Sequence, residues 1–358
     1  MLELPFLLPG PAHPHPPLAA EDLADRLGVT TEEVLSWLQE GLASQDGQID
    51  PFEAANWLCW GRLDRCPLLA RRWQTYLRWF TPHVNAVDKR QTYRVHQVHR
   101  LFLPQPVTDL QWYVPRIAVT SSQTQAKQVA PLQPITPSDE PPQDITEAGA
   151  FWRLTWPKAS IEAPAVSAQW QVRVEPQPPE VFPEHAELVE MVSALVADFR
   201  YLYRHHRPGE DPRERPQVGA DGMAGSCLDC ALELGRRLTE SGRDWRLCAG
   251  VVAHSAIANP HFWLKVDTTS GWVPVDPSLP AIARMLGADW EAFVDAYVGG
   301  CDARRITVTE SDLHIPSVPG GASLGSRLGE VIATSNGVRL NAWACLDWVC
   351  GECLWTFH

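Results

Sequence analysis

Gly225-Ser-Cys-Leu-Asp-Cys-Ala-Leu-Glu-Leu-Gly-Arg-Arg-Leu238 is the stretch on which the fold turns. Cys227, Cys230, Ala231, Leu234 and Leu238 recur at helical spacing. The segment therefore reads as a helix that starts near Cys227 and is buried along that stripe. Cys227 lies at its N-terminal end, where the stripe can open into a cleft. Unsatisfied backbone N–H groups and the helix dipole at that end favour a thiolate over a thiol. The same N–H groups can hold a developing oxyanion. Cys230, one turn deeper, reads as core, with redox chemistry through Cys227-Leu-Asp-Cys230 as a minor alternative.

Three strands are expected downstream: Asp244 to Ala253, Pro260-His-Phe-Trp-Leu-Lys-Val266 and Gly271-Trp-Val-Pro-Val-Asp276. The last two are separated by the turn signal Asp267-Thr-Thr-Ser-Gly271 and should form an antiparallel hairpin. His261 then opens one strand and Asp276 closes the other, so their ends meet at one edge of the sheet. A carboxylate there can orient one imidazole nitrogen while the other faces a thiol, the arrangement that thiol catalysis uses. Cys227 could be a buried structural cysteine, but its place in Gly225-Ser-Cys227 at a helix start favours catalysis; taken singly, His261 reads as a strand cap and Asp276 as a turn former, and the trio shifts the balance. His254 competes as the base, but strand periodicity favours His261.

Gly225-Ser-Cys227 at a helix start, His261-Phe-Trp263 on a strand and Gly271 through Pro277 on the next resemble the transglutaminase-like superfamily of papain-like thiol enzymes. Gly299-Gly-Cys-Asp-Ala-Arg-Arg-Ile-Thr-Val308 is similar to the Gly, Asp, Arg and strand that often close such cores. The resemblance covers about residues 184–310. It implies an α+β fold: a papain-like core, with the cysteine-bearing helix packed on an antiparallel sheet, preceded by a small β-domain like that of many bacterial members. It also implies Cys227 as nucleophile, His261 as base and Asp276 as orienting acid. The substrate would be an amide bond of a protein or peptide, attacked through a thioester that water or an amine resolves, without metal or organic cofactor. Related enzymes use an upstream Gln or Trp at the oxyanion; Gln217 and Tyr203 are the candidates here, with Trp263 as a further substrate-positioning residue. A catalytically silent scaffold or protein-binding module is the alternative.

Around this core the chain divides further. Residues 1–18 are rich in Pro and His and read as a flexible leader. A helical, helix-turn-helix-like domain is expected over 19–86, with a capping box at Thr30-Thr-Glu-Glu33 and a helix stop at Gly28. Its second helix carries three glutamates and no Lys or Arg between Thr30 and Glu40, which opposes DNA reading. An antiparallel β-domain is expected over 88–177, with a mobile loop at 127–146. Glu184 to His206 reads as an amphipathic helix. The C-terminal 311–358 is expected as a β or irregular extension whose Trp-rich part packs as strands against another domain. Zinc at Cys350-Gly-Glu-Cys353 is a weak alternative, since no second ligand pair is evident.

Composition bounds the function. The 358 residues carry a net charge of −13, which disfavours nucleic acid and anionic membrane surfaces as partners. No apolar run approaches the roughly 20 residues of a membrane span, and no export signal is read at the start, so a cytoplasmic location is expected. Nine cysteines, an odd number, argue against a disulfide framework. Oligomeric state is not readable.

Overall fold

The computed structural model describes residues 17–40, 42, 44, 46–49, 54, 91–103, 106–117, 123, 125–134, 141–148, 151–157, 161, 164–201, 223–254, 257–310, 332–336, 338–339 and 343–351. It mixes helices and antiparallel sheets. At the start, α1 (Ala20–Leu27) and α2 (Thr31–Glu40) form a helical pair. The first ends at Gly28, whose φ of 65° lets its N–H turn back to the Ala24 and Asp25 carbonyls. The second opens with a reciprocal cap: Glu33 N–H donates to Thr30 Oγ1 (3.2 Å) and Thr30 N–H to Glu33 Oε2 (3.0 Å). Beyond residue 49 only Ala54 of the expected helical domain is described, in helical conformation; residues 50–53 and 55–86 lie outside the described residues.

Two sheets follow. One has the order β15-β1-β6-β3 and the other β14-β13-β2-β5-β4. Their strands are β1 (Gln91–Phe102), β2 (Leu110–Pro115), β3 (Gln125–Pro134), β4 (Asp144–Ala148), β5 (Phe151–Trp156) and β6 (Ala165–Val174), joined by β13 (Ile332–Ser335), β14 (Val338–Arg339) and β15 (Trp343–Gly351). The C-terminal strands thus return to pair with the first ones: β15 runs antiparallel to β1, with Phe102 opposite Trp343. Tyr93, Val95, Gln97, His99 and Leu101 of β1 are buried at period-two spacing. Two of the five are polar. Gln97 accepts a hydrogen bond from Trp170 Nε1 at 2.9 Å.

The loop expected at 127–146 is corrected. Its first part is β3, an edge strand with two irregularities in its pairing to β6, and its end enters β4. Pro131 and Pro134 fit there because an edge strand need not donate every N–H to a ladder. Residues 135–140 lie outside the described set.

The helix expected from Glu184 to His206 is shorter than expected. It is α3 (His185–Asp198), and Phe199 already has extended backbone (φ −77°, ψ 127°). The chain instead forms β7 (Arg200–Tyr201), which pairs parallel with β8 (Ala224–Gly225), Tyr201 opposite Gly225. Backbone pairing across more than twenty residues overrides the local helical pattern and fixes the entry to α4 (Cys227–Glu240). Ala224 also belongs to the apolar cluster of α1 and α2, so the helical pair sits against this entry.

The last sheet has the order β11-β10-β9-β12, from β9 (Trp245–His254), β10 (Ile257–Thr268), β11 (Gly271–Val275) and β12 (Arg305–Thr309). On one face it packs α4, α3, α5 (Ser278–Met285) and α6 (Trp290–Tyr297) into a single core containing Leu188, Leu195, Leu228, Leu234, Leu264 and Tyr297. Val251, Ile306 and Val308 instead join the core of the first β-strands, with Trp112, Trp152 and Trp170. Helices, sheet and β-strand unit are therefore stacked as layers on two continuous cores. No described helix is long and apolar enough to cross a membrane.

Candidate active site

Gly225 and Ser226 set the nucleophile's position. A Cβ on Gly225 would lie 2.4 Å from the Asp229 side chain. The absent side chain lets the Asp229 carboxylate fold back over the turn, where it accepts from Ser226 N–H (2.7 Å) and Ser226 Oγ (2.8 Å). The helix start is thereby capped, and Cys227 stands in its first turn, 9% exposed. Cys230 is fully buried, and burial pushes its thiol well above the ordinary value, with the charges of Asp276 and Cys227 adding to the effect.

His261 is placed by a strand longer than the sequence suggested. It does not open β10; the strand begins at Ile257, and His261 stands opposite Gly250 of β9. The neighbour on its other side, β11, stops at Val275, paired with Leu264. Beyond that stop the chain is free to turn, and Asp276 projects into the space beside the continuing β10. His261 Nε2 lies 2.6 Å from Asp276 Oδ2, and both residues are buried. The Cys227 side chain lies close enough to His261 to act on its charge. Cys227, His261 and Asp276 are thus brought together in one chain of contacts.

Asp276 is held on both oxygens. Oδ1 accepts from the Ser278 N–H at 2.9 Å and from the Ser278 hydroxyl, so the carboxylate caps the start of α5. Oδ2 accepts from His261 and, at 2.7 Å, from Nη1 of Arg305. Arg305 is itself 1% exposed; its Nε donates to Asp302 Oδ2 at 2.9 Å. Its guanidinium lies 5.4 Å from the Trp263 ring and 4.8 Å from the Tyr297 ring. Gly250 makes this approach possible. A Cβ there would lie 2.2 Å from the Ile306 carbonyl oxygen and 2.8 Å from the Trp263 ring.

The electrostatics follow from these contacts. Burial alone would push the Asp276 carboxyl up, but the Arg305 and His261 charges, with their hydrogen bonds, hold it well below the usual carboxylate range. Burial alone would lower His261; the Asp276 charge and hydrogen bond, helped by Cys227, outweigh it and raise the imidazole to about 9. The pair is therefore ionised at neutral pH. The imidazolium charge thus stands beside Cys227.

Trp263 stacks on His261, with centroids 6.1 Å apart and ring planes at 21°, and is buried. Its ring backs both His261 and Arg305. Gln217 and Tyr203 lie outside the described residues, as does Cys353, while Cys350 lies in β15. Among the described residues no group of three or more His, Cys, Asp or Glu side chains could hold a metal ion. Arg305 and Asp302 were not read from the sequence as site residues. Both stand in the closing motif Gly299 to Val308, and an Asp three residues before an Arg at a strand start was the available signal.

No family model matches the chain, and no curated protein matches it. Among solved structures, a candidate cysteine protease from Cytophaga hutchinsonii aligns with 75% of this chain and 93% of its own, at 11% identity and a TM-score of 0.38. Similarity at that level fixes neither fold family nor chemistry, so the functional reading rests on the side chains themselves.

Proposed function

We propose that this chain is a thiol-dependent enzyme of papain-like, transglutaminase-like type that acts on amide bonds of proteins or peptides. The observation that carries the reading is the buried Asp276–His261 pair at 2.6 Å, beside a cysteine in the first turn of a capped helix. Nε2 of His261 is taken by Asp276, which leaves Nδ1 for Cys227. With His261 an imidazolium carrying a proton on Nδ1, Cys227 attacks the carbonyl carbon as the thiolate of that ion pair. The tetrahedral oxyanion is held by N–H groups at the start of α4. The C–N bond then breaks, His261 protonates the departing amine, and a thioester to Cys227 remains. Water, activated by His261, resolves it by hydrolysis; an amine in its place gives acyl transfer. Hydrolysis is the preferred outcome, because transfer needs an amine site besides. Gln217 and Tyr203 remain the oxyanion candidates, and a cytoplasmic location belongs to the same reading.

A silent scaffold is the second reading, favoured by the small exposure of Cys227 at 9% and His261 at 3%. Alkylation of Cys227 by iodoacetamide across pH, with the site assigned by mass spectrometry, separates the two. Because burial slows all labelling, the shape of the profile decides. A His-activated thiolate labels well below the ordinary thiol pKa of about 8.5, and His261→Ala moves the profile up towards that value. A profile centred near about 8.5 in both proteins sinks the enzyme reading.

A further inference from the structure

Catalysis as proposed uses three residues, but two further charged side chains, Arg305 and Asp302, are buried beside them. Asp276 and Asp302 each touch the same guanidinium, at 2.7 Å through Nη1 and 2.9 Å through Nε of Arg305. All three are 2% exposed or less. Like charges so close, and screened so little by water, do not both stay ionised without a cation between them. The other groups facing Asp276 supply no fixed positive charge. Cys230 of α4 and Cys301 feel its charge, and burial pushes both thiols up, Cys301 to about 12, so both remain neutral. Ser278 of α5 offers neutral donors. Tyr297 of α6 and Trp263 of β10 offer rings to Arg305. His261 of β10 is a cation only while it holds the catalytic proton.

We propose that Arg305 is a positioning residue of this site: by bridging Asp276 and Asp302 it keeps Asp276 an anion aimed at His261. The inference rests on the thiol-enzyme reading and deepens it. Arg305 acts through Asp276, donating to the same Oδ2 that accepts from His261. Its place is over-determined. It sits at the first position of β12, its Nε is fixed by Asp302, and its guanidinium lies against two aromatic rings. Among the described residues its Nη2 finds no partner, so the two carboxylates are its anionic complement there. Without the guanidinium, one of the two carboxyls must take up a proton. If Asp276 is that one, it no longer accepts from a charged imidazole, His261 loses its proton near neutrality, and the positive charge beside Cys227 is gone.

The test is the pH profile of Cys227 alkylation in the full chain. Arg305→Gln is expected to slow labelling at about pH 6 by about tenfold or more, because the thiolate fraction there falls as the imidazole gives up its proton. Arg305→Lys, which keeps the charge, recovers most of that loss. The deciding variant is the double Arg305→Gln, Asp302→Asn. Removing the second carboxylate removes the reason for Asp276 to protonate, so the double variant labels faster at about pH 6 than Arg305→Gln alone. A merely structural role predicts the double variant to be no better. That result, or an Arg305→Gln profile within about threefold of wild type, overturns the proposal. If Arg305→Gln does not fold by circular dichroism, Asp302→Asn alone carries the test. Arg305 then serves Asp276 only, and labelling at about pH 5 must not fall; a fall of about tenfold overturns it. The failure of the enzyme reading looks different: wild type itself then labels as an ordinary thiol, whatever stands at 305.

Discussion

His99 and His261 are equally buried, each 3% exposed, and they carry opposite charge states. His99 lies on β1 among the first strands, its ring edge-on to Trp112 at 6.3 Å, and its Nε2 has no partner among the described residues. Burial lowers its pKa to about 3, so it is neutral. His261 suffers the same burial, but Asp276 stands 2.6 Å away and the imidazole is raised to about 9. Loss of water is common to both; the difference is one anchored carboxylate. A buried histidine by itself is core, and it becomes a poised acid–base group only where backbone turns bring an ionised partner to it.

The largest effect comes from turning the second histidine into a copy of the first. Asp276→Asn keeps the shape and removes the charge. Burial then dominates at His261, and its pKa is expected to fall from about 9 to below the ordinary histidine value. Reactivity of Cys227 at about pH 6 should fall on the order of a hundredfold or more. Imidazole titration by NMR reads the first consequence and alkylation the second. A His261 that still titrates near its wild-type value in the variant would show that something other than Asp276 sets its charge.

A smaller loss should follow from moving the strand that carries Arg305. Gly250→Ala puts a methyl 2.2 Å from the Ile306 carbonyl oxygen, so β12 must shift away from β9. Overpacking of this kind costs about 1–3 kcal/mol, measurable by denaturant melts. Because Ile306 adjoins Arg305, the low-pH labelling of Cys227 should fall with it, by several-fold. Destabilisation with an unchanged labelling profile would show that the ionised state of Asp276 does not depend on the close packing of β12.

The two histidines also predict opposite slopes of stability with pH. His261 is raised on folding, so its contribution is complete below about 6.5 and is lost as pH rises through about 9. His99 is lowered on folding. The unfolded chain binds a proton that the folded one refuses, and stability falls as pH drops from about 6.5 towards about 3. Between about pH 7 and the pH of the melts below, each slope is worth on the order of 2 kcal/mol. Urea melts of wild type, His261→Ala and His99→Leu at about pH 5 and about pH 8.5 should show each variant flattening one side only. If both variants flatten the same side, one of the two charge assignments is wrong.

The sequence made the candidate trio legible because each member sits in a local context: a glycine before a helix start, a strand ending at a turn, a short hairpin. What it hid was set by distant pairing. Arg305 and Asp302 gain meaning only when β12 packs beside β9, and nothing near residue 305 says which carboxylate it will meet. The pattern from Glu184 to His206 is helical, yet the chain leaves the helix at Phe199 because Tyr201 pairs with Gly225, far along the chain. β3 reads as loop from its Pro and Gln content, which an edge strand tolerates. The interior of β1 is blurred in the same way, since Gln97 and His99 occupy positions that a purely apolar alternation would fill. Gln217 and Tyr203 stay where the sequence left them, as expectations.

His99 offers the smallest and finest test. His99→Leu removes an Nε2 that is buried without a partner among the described residues, which favours the variant by about 1–3 kcal/mol. It also removes the edge-on contact with Trp112, which favours wild type by about 0.5–1.5 kcal/mol. Near neutral pH these nearly offset, and the variant should unfold within about 1 kcal/mol of wild type. At about pH 5 the balance shifts, because only the wild-type unfolded chain gains from protonating residue 99. The variant should then be the more stable of the two, by about 1 kcal/mol or more than at neutrality. A stability difference that stays constant between the two pH values would mean that folded His99 is already protonated. Burial would then not suffice to neutralise a histidine in this fold, and the charge on His261 could no longer be credited to Asp276 alone.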